Sequence, residues 1–561
     1  MKNEFLKFSS KRILFSAAMV SALCVGSPQQ AFANVNEVQA IMQAGTVKGT
    51  VVDAIGEPII GANIMVKGTT NGCITDIDGN FSLSNAKGTL VVSFIGYKPQ
   101  EIVVKGNETN LKVVLAEDSE MLDEVVIVGY GVQKKATLSG SVTSIGGEKL
   151  ANTPVTNVSQ GLAGRLPGVV AISNTAEPGY DGATIRIRGV NTFGKADPLV
   201  VVDGVPGRSL ERIDPSTIET MSVMKDASAA IYGAQAANGV IIITTKRGKK
   251  GKPTVNLSYN YGISRPTVIP EMANASEYAT LLNEIDKYAG NKERYTPEDI
   301  QKYRDGSDPW SYPNTDWFKE TLKPWSPQTY ANATIDGGTD NMTYFVSVSA
   351  KTQDGFYRNS GTKYNQYDLK SNLDLKLNKY INLFMNLTGR MEDRKYPTRS
   401  SENIFRMLMR SKPNMPAYWP NGLPGPDIEF GDNPVVIATD ATGYERDKRY
   451  ILNGDFGVNI NVPYVEGLTL KATASLDKNF RFRKIWQTPW TLYSWDGTSM
   501  DENNNPLLVE GKKGFSDPRL RESMEDNQNI LLSGIINYNR TFAENHSVNV
   551  LAGAERITGK G

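Results

Sequence analysis

Apolar and polar residues alternate with a period of two through most of this chain, which predicts strands in preference to helices. Beyond residue 252 the alternating runs are long, at 254–263, 328–335, 342–353, 364–377, 381–392, 450–462, 468–480, 527–540 and 547–557. Nine strands are expected there. Their connections alternate in length: residues 336–341, 378–380, 463–467 and 541–546 make short turns, and long segments follow the first, third, fifth and seventh strands. Membrane barrels have this asymmetry of short turns at one rim and long loops at the other, and a soluble β-solenoid has no need of it.

Residues 46–116 carry shorter runs at 47–52, 59–66, 81–83, 90–94, 101–104 and 111–115, separated by Gly, Pro, Asn and Asp. This spacing reads as a β-sandwich. Residues 132–248 mix the two periods. Ile185-Arg186-Ile187-Arg188 suits a half-buried strand broken by Gly189, and 199–202 is a β-branched strand stopped by Asp203-Gly204 and Pro206. Asp214-Pro215 opens a one-turn helix, Asp226 can cap a helix over 227–232 that Gly233 ends, and 240–245 leaves as a strand. The fold class expected is therefore mainly β: a β-sandwich, an α+β middle domain and a partial transmembrane antiparallel β-barrel over 253–561.

The first 33 residues read as a secretory signal. Lys2, Lys7, Lys11 and Arg12 precede the apolar run 13–26, and Ala31-Phe32-Ala33 supplies a small-residue cleavage site. Leu23 is too large for a lipoprotein signal at Cys24, and Cys73 is then left alone, which excludes an internal disulfide and a cysteine-based zinc site. The 61 Lys and Arg balance 60 Asp and Glu, a net charge of +1, so no nucleic-acid partner is expected. No apolar run beyond the signal reaches the roughly 18 residues of a membrane helix.

Candidate chemistry is sparse, and no enzyme, metal or cofactor is expected. His546 has no serine elbow or metal-ligand spacing around it. The segment 189–196 nearly matches a phosphate loop, but Ala196 replaces the magnesium-binding hydroxyl and Pro198 interrupts any following helix. Asp76-Ile77-Asp78-Gly79-Asn80 starts like a calcium loop, yet Lys87 stands where the bidentate Glu belongs, so a tight turn is expected. In the linker, Asp123-Glu124-Val125-Val126-Ile127-Val128-Gly129 is β-branched and ends in glycine. It could lend its backbone to another sheet's edge or be a last sandwich strand, and periodicity alone leaves both open.

Several long motifs carry a family resemblance. In order they are GLAGRLPGV at 161–169, IRIRG at 185–189, VVDGVP at 201–206 and KDASAAIYGAQAANGVIIITTK at 225–246. The middle domain resembles the plug of SusC/RagA TonB-linked outer-membrane proteins. GTVVDAIGEPIIGANIMVKGT and TDIDGNFSL upstream resemble the carboxypeptidase-regulatory-like domain that precedes such plugs.

The resemblance implies an outer-membrane barrel embedded in lipid, with a periplasmic N-terminal domain. A plug gated by TonB and its inner-membrane energising complex would block the barrel, and a SusD-like surface lipoprotein would cover its outer face. It implies import of oligosaccharides or peptides. The alternatives are a non-transporting receptor or adhesion protein, or a truncated, non-functional fragment. Under it residues 123–131 are the TonB box. Arg186, Arg188 and Asp203 are candidate plug-gating residues, the two arginines sharing a strand face and pairing with the barrel wall; solvated charge is the alternative for them. Trp310, Trp317, Trp325, Trp419, Trp486, Trp490 and Trp495 all fall in predicted long connections. Their rings could stack on ligand or partner, or simply pack the loops. Barrels of about eight strands are filled by side chains and plugged transporters use about 22. A folded domain over 131–248 would not fit inside nine strands, so the natural product is expected to continue beyond Gly561 or to be a truncated product.

Overall fold

The computed structural model describes residues 46–561 apart from 54, 70, 95–96, 117–124, 129–130, 135–141, 154–156, 174, 176, 191, 226 and 544–545. The signal segment and Asp226 therefore lie outside the described residues. The N-terminal unit is a two-sheet sandwich. Thr46–Val52 sits between Asn80–Ser84 and Leu111–Val114, antiparallel to the first and parallel to the second. The facing sheet orders Gly72–Ile74, Asn63–Val66, Gly88–Ser93 and Gln100–Val104. Period-two patterning drives this packing: Phe81 and Leu83 point inward while Asn80, Ser82 and Ser84 face out. Val47, Val51, Ile64, Leu90 and Val113 are fully buried, each worth about 1.5–3 kcal/mol. The strand at 72–74 was not predicted, being three residues long and too short for a period. Asp76 accepts the N–H groups of Asp78 and Asn80 at 3.0 and 2.8 Å, the local geometry of a turn.

The middle domain is built on a sheet ordered Val142–Gly146, Ile218–Met224, Val240–Thr245, Leu199–Val202 and Val205–Pro206, with Val169–Ser173 paired to Ala183–Ile187 beside it. Central Val240–Thr245 is buried on both faces, which is why it reads as an unbroken apolar run. Asp203 and Gly204, at φ 52 and 89, form the two-residue turn that folds Val202 onto Val205. Asp-Gly is the dipeptide such a turn requires. Asp214 caps the short helix Pro215–Thr217 by accepting the Ser216 N–H, as its sequence predicts. The helix expected at 227–232 is a 3₁₀ segment, Ala227–Ala236, interrupted at Gly233 where φ is 71.

All nine predicted long strands are present in one antiparallel meander: Gly251–Ser264, Ser326–Gly338, Met342–Asp354, Lys363–Lys376, Ile381–Tyr396, Gly443–Asn461, Leu468–Gln487, Arg519–Phe542 and His546–Lys560. Among the described residues the first and last strands pair on one side only. Several strands run further than alternation predicted, because ion pairs extend the ladder beyond its apolar stretch, as Arg483 does to Glu445 at 2.7 Å. One face is apolar and open: Val348, Leu369, Leu452, Phe456 and Leu532 are each about half exposed. A continuous exposed band of this kind suits lipid. The other face turns polar residues toward the middle domain. The long connections carry their own helices, Ala275–Tyr288, Pro297–Asp305 and Ser401–Arg410, and a core containing Trp317, Phe318, Ile404, Met407 and Ile437. No helix among the described residues is long and apolar enough to cross a membrane, and strands are outside that criterion.

Candidate functional site

The sheet holds the middle domain through buried polar contacts. Arg208 follows the Asp203-Gly204 hairpin and reaches two neighbouring long strands. Its Nη1 and Nη2 donate to Asp455 at 3.0 and 2.5 Å, and its Nε and Nη2 donate to Asp477 at 3.1 and 2.6 Å. The three side chains are 10, 3 and 19% exposed. Forked, charge-assisted geometry of this kind fixes orientation as well as charge. Asn453 donates to Asp477 at 2.7 Å, and Asn386 to Asp455 at 3.5 Å. Burial works against the Arg208 charge, but its bonds to the two aspartates outweigh that and raise its pKa above the ordinary guanidinium value.

Asp203 accepts the Thr245 N–H at 2.9 Å and its hydroxyl at 2.7 Å, with the Lys370 ammonium of the fourth long strand 3.6 Å away. Burial pushes the Asp203 carboxyl up, yet Lys370, both Thr245 bonds and Arg247 together hold it below the usual carboxylate range. Further anchors run along the interface. Arg247 pairs with Asp374 at 2.6 Å, Tyr330 donates to Asp214 at 2.6 Å, and Gln366 donates to the Arg212 carbonyl at 3.0 Å. Asp447 of the sixth strand is fully buried among Arg394, Arg449 and Arg481, with the Tyr180 hydroxyl at 3.4 Å. Glu177 accepts from Ser401 at 3.2 Å; burial, together with the charge of Glu445, raises its carboxyl despite that bond.

The interface between the middle domain and the sheet is polar along these contacts. Each of its hydrogen bonds exchanges for one to water, at a net difference of about 0.5–1.5 kcal/mol for neutral pairs and about 1.5–3 kcal/mol where a charged group takes part, whereas an apolar interface would expose surface with no replacement.

Of the predicted gating residues, Asp203 faces the sheet. The expected pairing of Arg186 with the wall is corrected: it pairs with Asp197 of its own domain at 2.5 Å, because Ala183–Ile187 lies against Val169–Ser173 and turns that side chain along the domain surface. Arg188 lies past the strand end at φ 58, exposed, so the two arginines do not share a strand face. Arg208, Arg212 and Arg247 were missed. Their local sequence offers no signal, since the partners of Arg208 lie 247 and 269 residues away. In the linker, Val125–Val128 pairs with Gly131–Lys134 as a separate hairpin, outside both sandwich sheets. Asp123, Glu124 and Gly129 lie outside the described residues.

The tryptophans divide by environment. Trp317, Trp419 and Trp490 are 4–8% exposed and pack the loop core, their indole N–H groups donating to the carbonyls of Lys412, Tyr493 and Gly431. Trp310, Trp419 and Trp495 come from three different connections and meet with ring centroids 5.6–6.3 Å apart. Trp325 is 47% exposed, beneath Arg265. Trp486 was expected in a loop and instead lies in Leu468–Gln487, paired with Tyr444 and Leu520 on the extended ladder. His546, expected in a turn, opens the last strand opposite Phe542. Among the described residues no cluster of His, Cys, Asp and Glu could hold a metal.

Two family models match: a CarboxypepD_reg-like domain over residues 47–127 and a TonB-dependent receptor plug domain over 134–240. The chain is 35% identical to TonB-dependent receptor SusC of Bacteroides thetaiotaomicron, over 76% of this chain and 43% of that protein. It is 31% identical to TonB-dependent receptor P26 of Formosa agariphila, over 91% of this chain and 49% of that protein. The RagAB peptide importer in its open-open state shares the fold, with a TM-score of 0.61 at 23% identity, over 77% of this chain and 49% of that one. The chain thus spans about half the length of the curated relatives it matches.

Proposed function

Since the chain belongs to the SusC/RagA-type TonB-dependent receptors, we propose that it serves import across the outer membrane, with its plug held shut by the latch at Arg208 and released when TonB pulls on the linker. The carrying observation is the buried bidentate contact of Arg208 with Asp455 and Asp477. It joins a whole folded domain to the wall through bonds that water can replace. No energy source exists in the outer membrane, so the force must arrive through the linker. Val125–Val128, a short β-branched strand just ahead of the plug, is suited to adding to a partner's sheet edge. The partners proposed are TonB, a SusD-like lipoprotein on the outer face, and an oligosaccharide or peptide substrate.

Uptake of labelled oligosaccharides and peptides, compared in cells with and without TonB, tests the reading. TonB-dependent accumulation is expected. Surface binding without accumulation would replace the importer with a non-transporting receptor.

A further inference from the structure

The long connections form a cleft of about 880 Å³ lined by residues 269–274, 314–319, 322–324 and 408–413, together with Tyr278 and Arg358. Its charge is one-sided. Lys319, Lys323, Arg358, Arg410 and Lys412 line it against Glu271 and Asp316. Arg410 is tied to Glu429 at 2.7 Å, outside the lining. Lys319, Lys323, Arg358 and Lys412 form no ion pair among the described residues. Arg358 uses its Nε on the carbonyls of Lys319 and Leu322, at 2.8 and 3.1 Å, which fixes the guanidinium and leaves both terminal nitrogens for a ligand.

The walls are aliphatic and thioether. Ile269, Met272 and Met409 are 45–50% exposed, whereas the aromatic Trp317 and Phe318 are buried behind them at 4 and 5%. Tyr278 also lines the cleft and is only partly exposed, so the surface open to a ligand is chiefly aliphatic and thioether rather than the broad aromatic face on which sugars stack. Methionine and aliphatic side chains suit varied apolar side chains, and Met adapts its shape to them.

We propose that this cleft binds an acidic peptide segment, its carboxylates on Lys319, Lys323, Arg358 and Lys412 and an apolar side chain against Ile269, Met272 and Met409. The proposal rests on the importer reading for its biological use and narrows that reading to peptides, but the binding itself is independent of transport.

The test is fluorescence anisotropy with the full chain in detergent micelles, using a labelled twelve-residue peptide alternating Glu and Leu. Controls are the same peptide with Lys for Glu and a uronic-acid oligosaccharide as competitor. The Glu peptide is expected to bind, to weaken as salt rises, and to lose affinity by on the order of tenfold in Lys319→Glu/Lys323→Glu, while the Lys peptide gains. Equal binding of both peptides, an unchanged affinity in the double variant, or displacement by the oligosaccharide at lower concentration than by unlabelled peptide would overturn it. Should the double variant misfold, protection of Lys319 and Lys323 from amine acetylation by the Glu peptide reads the same contact in the unaltered chain, and absence of protection overturns the proposal. Peptide binding without TonB-dependent uptake would leave the cleft standing and reject the importer reading.

Discussion

Replacing Arg208 with Ala should open the latch. Asp455 and Asp477 would lose the guanidinium they share, and two adjacent carboxylates at 3 and 19% exposure would be left together. Removing one partner of a buried ion pair costs about 3–5 kcal/mol. The low end applies, because Asn453 and Asn386 still donate to the two carboxylates. About 3 kcal/mol corresponds to roughly a hundredfold shift in the ratio of docked to undocked plug. Conductance of the intact receptor in planar bilayers should therefore rise without TonB, and the plug should become more open to limited proteolysis. Adding Asp455→Asn and Asp477→Asn should restore much of the closure, since neutral amides remove the two carboxylate charges that Arg208 had balanced. Arg186→Ala is the contrast: its pair with Asp197 is partly exposed and internal to the plug, so less than about 1 kcal/mol is at stake and leakage should not change. Wild-type conductance and protease resistance in Arg208→Ala would refute the latch.

Gly179→Ala should destabilise docking by about 1–3 kcal/mol, since φ is +78 and a Cβ would lie 2.8 Å from the Tyr364 ring and 3.0 Å from both the Arg394 Nε and the Tyr396 hydroxyl; an unchanged melting temperature would count against that close approach. Glu177 has a raised folded pKa, so the folded state binds the extra proton. Its stabilising effect is complete below the unfolded value near 4.5 and is lost as pH rises through the folded value. Glu177→Gln should accordingly raise the thermal stability of the docked plug at pH 7 and flatten its pH dependence, and a lower melting temperature would contradict this. Val126→Pro removes a backbone donor from the proposed TonB-pairing strand and should abolish uptake while outer-membrane levels stay normal; uptake at the unaltered rate would exclude the assignment.

Local chemistry was legible in the chain from the start. Asp203-Gly204 stops the preceding strand and, in the structure, supplies the two positive-φ positions of a two-residue turn, Asp214-Pro215 dictates a capped helical start, and alternation dictates the existence of all nine long strands. These depend on neighbours within a few residues. The latch does not. Which arginine meets which carboxylate is decided by strand register and by how the plug seats against the wall, and so Arg208 finds Asp455 and Asp477 while Arg186, more prominent in its motif, turns to Asp197. The tryptophans teach the same distinction. Their placement near long connections could be read from spacing, but the burial of Trp317, Trp419 and Trp490 and the meeting of Trp310, Trp419 and Trp495 needed segments far apart in the chain to fold together. Periodicity specifies a face, and only tertiary packing specifies the partner across it.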